Sequence, residues 1–172
     1  MDISKIKTND WLIIGGAIGM LIFGTFLDWI SVDVGFGSVS GGNAFDFFFT
    51  GTVPWILVIA AGVITFLRTQ DKLGEQLPWN LVLVLGTALA AVLLIIRILF
   101  NPGMDGAGRG IGMILSVLSG LAAAAGAVMA FLAAGGQISD LTDVDKLKGA
   151  FDKSGAGGST AGDATPPPPP AD

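Results

Sequence analysis

Four long stretches without a charged residue constrain this chain more than any other feature. They contain 17, 21, 21 and 30 residues, at positions 11–27, 47–67, 76–96 and 110–139. A helix that crosses a bilayer needs about 20 mostly apolar residues, and an open chain inside lipid can satisfy its own backbone only as a helix. The sequence therefore predicts four transmembrane helices, at about 11–30, 52–68, 78–100 and 110–136.

The overall composition favours the same fold class. Of the 172 residues, 52% are hydrophobic and only 13% are charged, and the mean hydropathy is +0.73. A soluble domain of this size leaves much of its surface in water and usually carries about 25% charged residues. The apolar stretches also lack the period-two alternation of strands. We therefore expect an all-α, polytopic membrane bundle.

The chain changes character after the fourth apolar stretch. Residues 1–138 form the predicted transmembrane domain, and 139–153 repeat apolar residues at helical spacing among charged ones, which predicts a short amphipathic cytoplasmic helix. Residues 154–172 are a linker of small residues followed by five prolines at 166–170. This composition predicts a disordered Gly/Ser/Pro tail with a polyproline II segment.

The basic residues predict the orientation. Seven of the nine flank the first helix, the link between helices two and three, or the carboxyl tail: Lys5, Lys7, Arg68, Lys72, Lys146, Lys148 and Lys153. The loop at 28–52 has none. Lys and Arg accumulate on the cytoplasmic side, so both termini are expected there. No small-x-small cleavage site closely follows the first apolar stretch, which favours a signal-anchor over a signal peptide.

The four tryptophans each fall at the edge of a predicted helix. Indole prefers the headgroup region, where its ring is partly apolar and its N–H reaches water. We therefore interpret all four as interface anchors: Trp11, Trp29, Trp55 and Trp79.

The fourth helix carries a ridge of small residues at a strict spacing of four: Gly112, Ser116, Gly120 and Ala124. Such a ridge lets helices approach closely in lipid, where dense contact drives association. Packing within the bundle is the first interpretation. A face for a partner subunit or a second copy is the alternative.

Arg97 is the most unusual residue, because it lies within the apolar end of the third helix. A charge at that depth snorkels to the surface or finds a partner. Asp28 and Asp46 are expected at a similar depth, so we predict a structural ion pair with one of them. Simple snorkelling and a substrate or ion site are the alternatives.

The loop at 28–52 is rich in Gly and Phe and contains three aspartates. Val32, Val34, Phe36 and Val39 predict a short hairpin around glycine turns. We interpret the loop as a cap over the outer end of the bundle, and docking of a neighbour or an envelope lipid is the alternative. The glycine-rich stretch at 103–112 lacks the phosphate-loop spacing and is interpreted as a flexible turn.

Several function classes are disfavoured by residues that the sequence lacks. Without cysteine or histidine, the chain has no disulfide, thiolate metal site or imidazole ligand. It has no large basic field for nucleic acid and no nucleotide motif. No nucleophile–base pair or carboxylate pair stands out. We therefore expect a protein that is not an enzyme and needs no cofactor.

The first helix end and the following loop resemble small four-helix membrane proteins common in actinobacteria. The resemblance rests on Phe26, Leu27 and Trp29, then on the run Asn43-Ala44-Phe45-Asp46, and then on Gly51. Asp28 stands where those proteins usually have proline. The resemblance covers about a quarter of the chain and implies the four-helix fold and a bacterial plasma-membrane location. It implies no activity and no functional residues.

These observations lead to one expected function and one alternative. The expected function is an accessory or scaffold subunit of a larger membrane assembly, with lipids and other membrane proteins or further copies of itself as partners. The alternative is a small transporter or channel that acts as a homo-oligomer, which would require polar residues converging inside the bundle.

Overall fold

The computed structural model describes residues 6–74, 77–100 and 107–155. Within these residues lie five α-helices and three short strands: α1 Thr8–Phe26, β1 Ile30–Asp33, β2 Ser38–Gly41, α2 Val53–Thr69, α3 Trp79–Phe100, β3 Gly108–Arg109, α4 Ile111–Ala133 and α5 Val144–Gly155. Four helical segments are long and apolar enough to cross a membrane, with mean hydropathies between 1.4 and 2.7. The second of them, Phe48–Thr69, is α2 extended at its start by the π-helical turn Phe48–Thr52. The predicted all-α membrane bundle is confirmed.

The four long helices form an antiparallel ring. α1 packs against α2 and α4, and α3 packs against the same two helices from the opposite side. Close approaches fix the directions, since Gly112 at the start of α4 lies beside Leu27, and Gly126 near its end lies beside Asn9. We call the end with β1 and β2 the hairpin end. The end where α1 begins and α4 finishes is the terminal end.

Small residues hold the helices together because lipid provides no hydrophobic drive between them. Gly16 on α1 lies against α4, where an added Cβ would stand 2.6 Å from the Ser119 carbonyl oxygen and 2.9 Å from the Ala123 Cβ. On the neighbouring face, Gly62 on α2 lies directly against Ala17. The close contact of backbones therefore depends on residues that have little or no side chain.

A three-stranded sheet closes the hairpin end. β1 and β2 are antiparallel with Val32 opposite Val39, which confirms the predicted hairpin. The Val34 N–H donates to the Gly37 carbonyl at 2.9 Å across a turn that contains Gly35 at φ +80°. The third strand, β3, pairs with the other edge of β1 and was not predicted.

Two predicted helix boundaries are wrong. The first helix was expected to reach residue 30, but α1 ends at Phe26. The residues that follow are extended and pair with the loop. There the Trp29 N–H donates to the Gly42 carbonyl at 2.9 Å.

The amphipathic helix was expected at 139–153. Residues Ile138–Leu141 instead form one 3₁₀ turn, and α5 begins at Val144. The Asp143 carboxylate accepts from the backbone N–H groups of Asp145 and Lys146, at 3.1 and 3.2 Å, and so caps α5. α5 continues to Gly155, two residues into the segment 154–172 that was predicted to be a disordered tail. Residues 156–172 lie outside the described part of the chain.

Candidate functional site

Trp29 differs from the other predicted interface anchors. Its side chain is fully buried, and its ring stacks on Phe47 with centroids 6.4 Å apart and planes 14° from parallel. Trp11 is exposed, whereas Trp55 and Trp79 are half-buried with N–H groups bonded to the Thr25 hydroxyl and the Gly74 carbonyl. Trp29 is therefore a core residue of the hairpin end, and the anchor role stays a prediction for the other three.

Arg97 and Phe47 are far apart in the sequence, and the structure brings their side chains together. The guanidinium carbon stands 3.4 Å from the centre of the Phe47 ring, and the Arg97 side chain is fully buried. A cation over the face of an aromatic ring is attracted by the ring quadrupole, more strongly where water is excluded. Phe47 thus connects Arg97 on α3 with Trp29 after α1.

The two aspartates proposed as partners of Arg97 each bind a group within the loop. The Asp28 carboxylate accepts the Ser40 hydroxyl at 2.7 Å, and the Asp46 carboxylate accepts the Asn43 backbone N–H at 2.7 Å. Both bonds stabilise the folded loop at the hairpin end. The pairing of Arg97 with either aspartate stays a prediction.

The small-residue ridge of α4 faces into the bundle. Gly112, Ser116 and Gly120 are buried and Ala124 is half-buried. A Cβ added at Gly120 would meet the Leu94 side chain of α3 at 2.5 Å, and one at Gly112 would meet Leu27. Gly112, Ser116 and Gly120 of the ridge therefore serve helix packing inside this chain.

The loop at the hairpin end has a buried and an exposed part. Ala44 is fully buried and packs with Trp29 in the core, as expected for a cap over the bundle. The hairpin itself exposes apolar side chains at the surface of the chain: Phe36 is fully exposed, and Val34 and Val39 are about half-exposed. An exposed apolar group of this kind is typical of a contact site with another protein or with the membrane.

Two neighbouring cavities occupy the terminal end. The smaller, of about 390 Å³, lies among the ends of all four long helices and is lined by Lys7, Thr65, Arg68 and Ala133, among others. The larger, of about 960 Å³, lies between the α2–α3 link and α5. Arg68, Asp71, Asn80 and Ala134 line both cavities, so the two meet at these residues.

Arg68 is held in place at this junction. Its Nη1 donates to the Asn80 Oδ1 at 2.6 Å, which links the end of α2 to the start of α3. Because the Asn80 amide oxygen accepts this bond, its NH₂ group is oriented away from the guanidinium and remains a donor. The junction therefore presents several N–H donors.

Thr65 lines the smaller cavity one turn deeper than Arg68. Its side chain is 2% exposed, and its hydroxyl has no hydrogen-bond partner among the described residues. A buried polar group without a partner costs free energy, about 1–3 kcal/mol. The Thr65 hydroxyl is therefore a buried polar group close to the cavity, and its Oγ1 atom has almost no accessible surface.

The helix α5 covers the larger cavity. Leu147 and Ala150 line it from α5, and both pack against the core cluster that includes Phe131. The Lys146 ammonium donates to the Asp140 carboxylate at 2.8 Å. This bond lowers the pKa of Asp140 and raises the pKa of Lys146, since each charge stabilises the other.

The bundle interior contains hydroxyl groups from three helices. Thr87 on α3 donates to the Leu83 carbonyl at 2.7 Å, and Ser119 on α4 donates to the Leu115 carbonyl at 2.8 Å. These are bonds to the preceding turn of the same helix. The buried hydroxyl of Ser116, like that of Thr65, has no partner among the described residues.

The sequence did not predict the cavity at the terminal end. In the sequence, Arg68 and Asn80 flank two different helices. Only the folding of the link between these helices brings the two side chains together. Their placement at the facing ends of consecutive helices was the available signal. Within the described part of the chain, no cluster of three or more metal-binding side chains occurs.

Comparison of the chain with family models, curated proteins and solved structures finds no match. The resemblance to small actinobacterial membrane proteins therefore stays a prediction.

Proposed function

We propose that the chain is a non-enzymatic accessory or scaffold subunit of a larger assembly in the bacterial plasma membrane, with the hairpin outside and both termini in the cytoplasm. The observation that carries the proposal is the fully exposed Phe36 at the turn of a hairpin that is anchored to the bundle. Large apolar side chains grouped on a water-facing surface mark contact sites for other molecules.

The anchoring makes this hairpin suitable for docking. Its backbone is tied to the start of α4, where the Gly110 N–H donates to the Trp29 carbonyl at 2.9 Å and the Gly112 N–H to the Asp28 carbonyl at 3.0 Å. A surface that is already ordered loses little conformational freedom when a partner binds. The strand β2 also forms one edge of the sheet and can accept a further strand.

The charge of the hairpin end favours a partner other than a second copy. Residues 28–52 contain three aspartates and no Lys or Arg, and β3 brings one cation, Arg109, beside β1, so this surface keeps a net negative charge. Two copies meeting through this surface would bring like charges together, which costs affinity. The partner we propose is the outer part of a different membrane protein that presents apolar and basic groups.

Affinity purification from native membranes in mild detergent tests the proposal, with a photo-crosslinking residue at position 36. We expect a stoichiometric partner that crosslinks at this position and is lost on Phe36→Ala. Phe26→Ala is the matched control, because Phe26 is also highly exposed, at 76%, but lies at the end of α1. A pure oligomer of this chain, or a complex unchanged by Phe36→Ala, would contradict the proposal.

The second candidate is a small transporter or channel that works as a homo-oligomer. The observation in its favour is the set of hydroxyls buried within the bundle: Thr65, Thr87, Ser116 and Ser119. The hydroxyls of two of them, Thr65 and Ser116, have no hydrogen-bond partner among the described residues. Solute flux into liposomes containing the purified chain, reduced by Ser116→Ala, would favour this candidate.

A further inference from the structure

The strand β2 leaves one edge of the sheet open. Within the described part of the chain the strand order is β2-β1-β3, so β2 has a neighbour on one side only. The Val34 N–H donates to the Gly37 carbonyl across the turn, and bonded and non-bonded residue pairs alternate between antiparallel strands. Along the register, Val39 therefore bonds to β1, whereas the backbone N–H and carbonyl groups of Ser38 and Ser40 point away from it. These groups are the ones that a further strand would bind.

This edge lacks the features that usually protect an open strand. Natural edge strands are commonly guarded by charged side chains, by proline or by a covering element. The four residues of β2, Ser38–Gly41, include no charged residue and no proline, and the first three of them are exposed. Hydrocarbon provides no hydrogen-bond partners for the backbone of an open edge, so the edge has to lie outside the lipid core. It is therefore open to another chain in water.

The two faces of the sheet differ beside this edge. Residues directly opposite each other share a face, and successive residues alternate between faces. Val32 pairs with Val39 on one face, and Asp33 pairs with Ser38 on the other. The Asp28 carboxylate lies at that second face too, where it accepts a hydroxyl of β2 at 2.7 Å. The strand β2 thus has an apolar face and an acidic face.

The cation of the sheet does not neutralise the acidic face. Arg109 on β3 pairs with Ile30, so its position belongs to the apolar face and is separated from β2 by β1. Its Nε donates to the Ile98 carbonyl at 2.6 Å, which directs the guanidinium toward α3. The carboxylates beside β2, from Asp28 and Asp33, belong to exposed residues. They are therefore available to basic groups of a partner.

We propose that β2 binds an extended segment of the partner as a fourth strand, and that this segment alternates apolar and basic side chains. The inference rests on the proposed function, because it specifies how the partner of the hairpin is recognised. In strand addition the backbone bonds supply affinity and the alternating side chains supply specificity. Every second residue of the added strand lies beside Val39, and the residues between them place Lys or Arg beside Asp28 and Asp33. A second copy would bring its own aspartates to this face, where like charges repel.

The binding test uses the full chain, purified in a neutral detergent, and a fluorescent synthetic peptide that alternates valine and lysine. Fluorescence anisotropy gives the affinity, with empty micelles as the blank. This peptide should bind about tenfold more tightly than one that alternates valine and glutamate, which would bring carboxylates against Asp28 and Asp33. It should also bind more tightly than a peptide of the same composition in which valines and lysines form two blocks, because blocks cannot match alternating faces. Equal binding of the three peptides would overturn the proposal.

Two pairs of variants connect the binding to the edge. Ser38→Pro removes an N–H that points away from β1, which an edge strand tolerates. It should bind the valine–lysine peptide about fivefold more weakly than Ser38→Ala, which keeps the N–H. Asp33→Asn keeps an acceptor for the Gly35 N–H and should weaken binding about threefold relative to Asp46→Asn, whose carboxylate binds the Asn43 N–H away from β2. Thermal unfolding of each pair reports whether the fold is kept, and equal binding within both pairs would overturn the proposal.

The complex from native membranes separates this inference from the proposed function. The partner should be lost on Ser38→Pro as well as on Phe36→Ala, and a photo-crosslinking residue at position 39 should mark a partner segment with the alternating pattern. A complex that depends on Phe36 but is unchanged by Ser38→Pro would overturn strand addition and leave the proposed function standing. Crosslinks from position 39 to a second copy of the chain alone would overturn both.

Discussion

Replacing Gly16 by alanine should destabilise the bundle, whereas the same change at Gly15 should not. The two glycines are adjacent on α1 and differ in what surrounds them. An added Cβ at Gly16 would stand 2.6 Å from the Ser119 carbonyl oxygen and 2.9 Å from the Ala123 backbone nitrogen, but one at Gly15 meets nothing within 4 Å. Backbone atoms cannot rotate away, so α1 and α4 have to separate.

The comparison of the two variants isolates the cost of this contact. Alanine is favoured over glycine in a helix by about 1 kcal/mol, and both variants gain this term equally. Overpacking a close contact costs about 1–3 kcal/mol. Gly16→Ala should therefore be about 1–3 kcal/mol less stable than Gly15→Ala.

Reversible unfolding in mixed detergent micelles measures this difference directly. The same unfolding curves give the free energy of each variant relative to the original chain. If Gly16→Ala is too unstable to purify, Gly126→Ala provides a second test. A Cβ there would stand 2.7 Å from the Asn9 carbonyl oxygen, at the other end of the contact between α1 and α4. Equal stability of Gly16→Ala and Gly15→Ala would refute close α1–α4 packing.

Two further predictions concern the charged residues. Double-mutant cycles give the coupling free energy between two substitutions from the unfolding free energies of the variants. Arg97→Leu should couple to Phe47→Leu by about 0.5–2 kcal/mol. Coupling of the same size between Arg97→Leu and Asp28→Asn would instead support the ion pair. The contribution of the Lys146–Asp140 pair to the docking of α5 should be present at neutral pH. The pKa of Asp140 is lowered, so the contribution of the pair is lost in acid, as the pH falls through that lowered pKa. The pKa of Lys146 is raised, so the contribution is lost in alkali, as the pH rises through that raised pKa. Hydrogen exchange of α5 amides across this pH range, with Lys146→Met as the control, measures the effect.

The number and nature of the helices followed from the sequence because the lipid environment leaves few options. A stretch of 17 or more uncharged residues has to become a helix in a membrane, and Gly112, Ser116 and Gly120 at a spacing of four indicated the face that packs. The end of α1 was misjudged because Trp29 is apolar enough to continue a helix. Its backbone forms a sheet instead, since β1 finds two partner strands.

The candidate sites depended on contacts between distant residues, which periodicity does not report. Arg97 was recognised as unusual from its position alone, but its neighbour Phe47 lies 50 positions earlier in the chain and reaches it only through the folded loop. The two neighbouring cavities at the terminal end were missed for the same reason. Arg68, Asn80 and Thr65 carry no shared motif, and only the packing of four helix ends places them around one space.

The central claim is a four-span membrane protein with the hairpin on one side and both termini on the other. Single cysteines test it most directly, because the chain contains none of its own. Cysteine placed at Ser38 should react with a membrane-impermeant thiol reagent on intact cells, and cysteine at Ser159 should react only after the membrane is opened. Labelling of Ser159 but not of Ser38 on intact cells would reverse the orientation, and labelling of both would contradict the four-span topology.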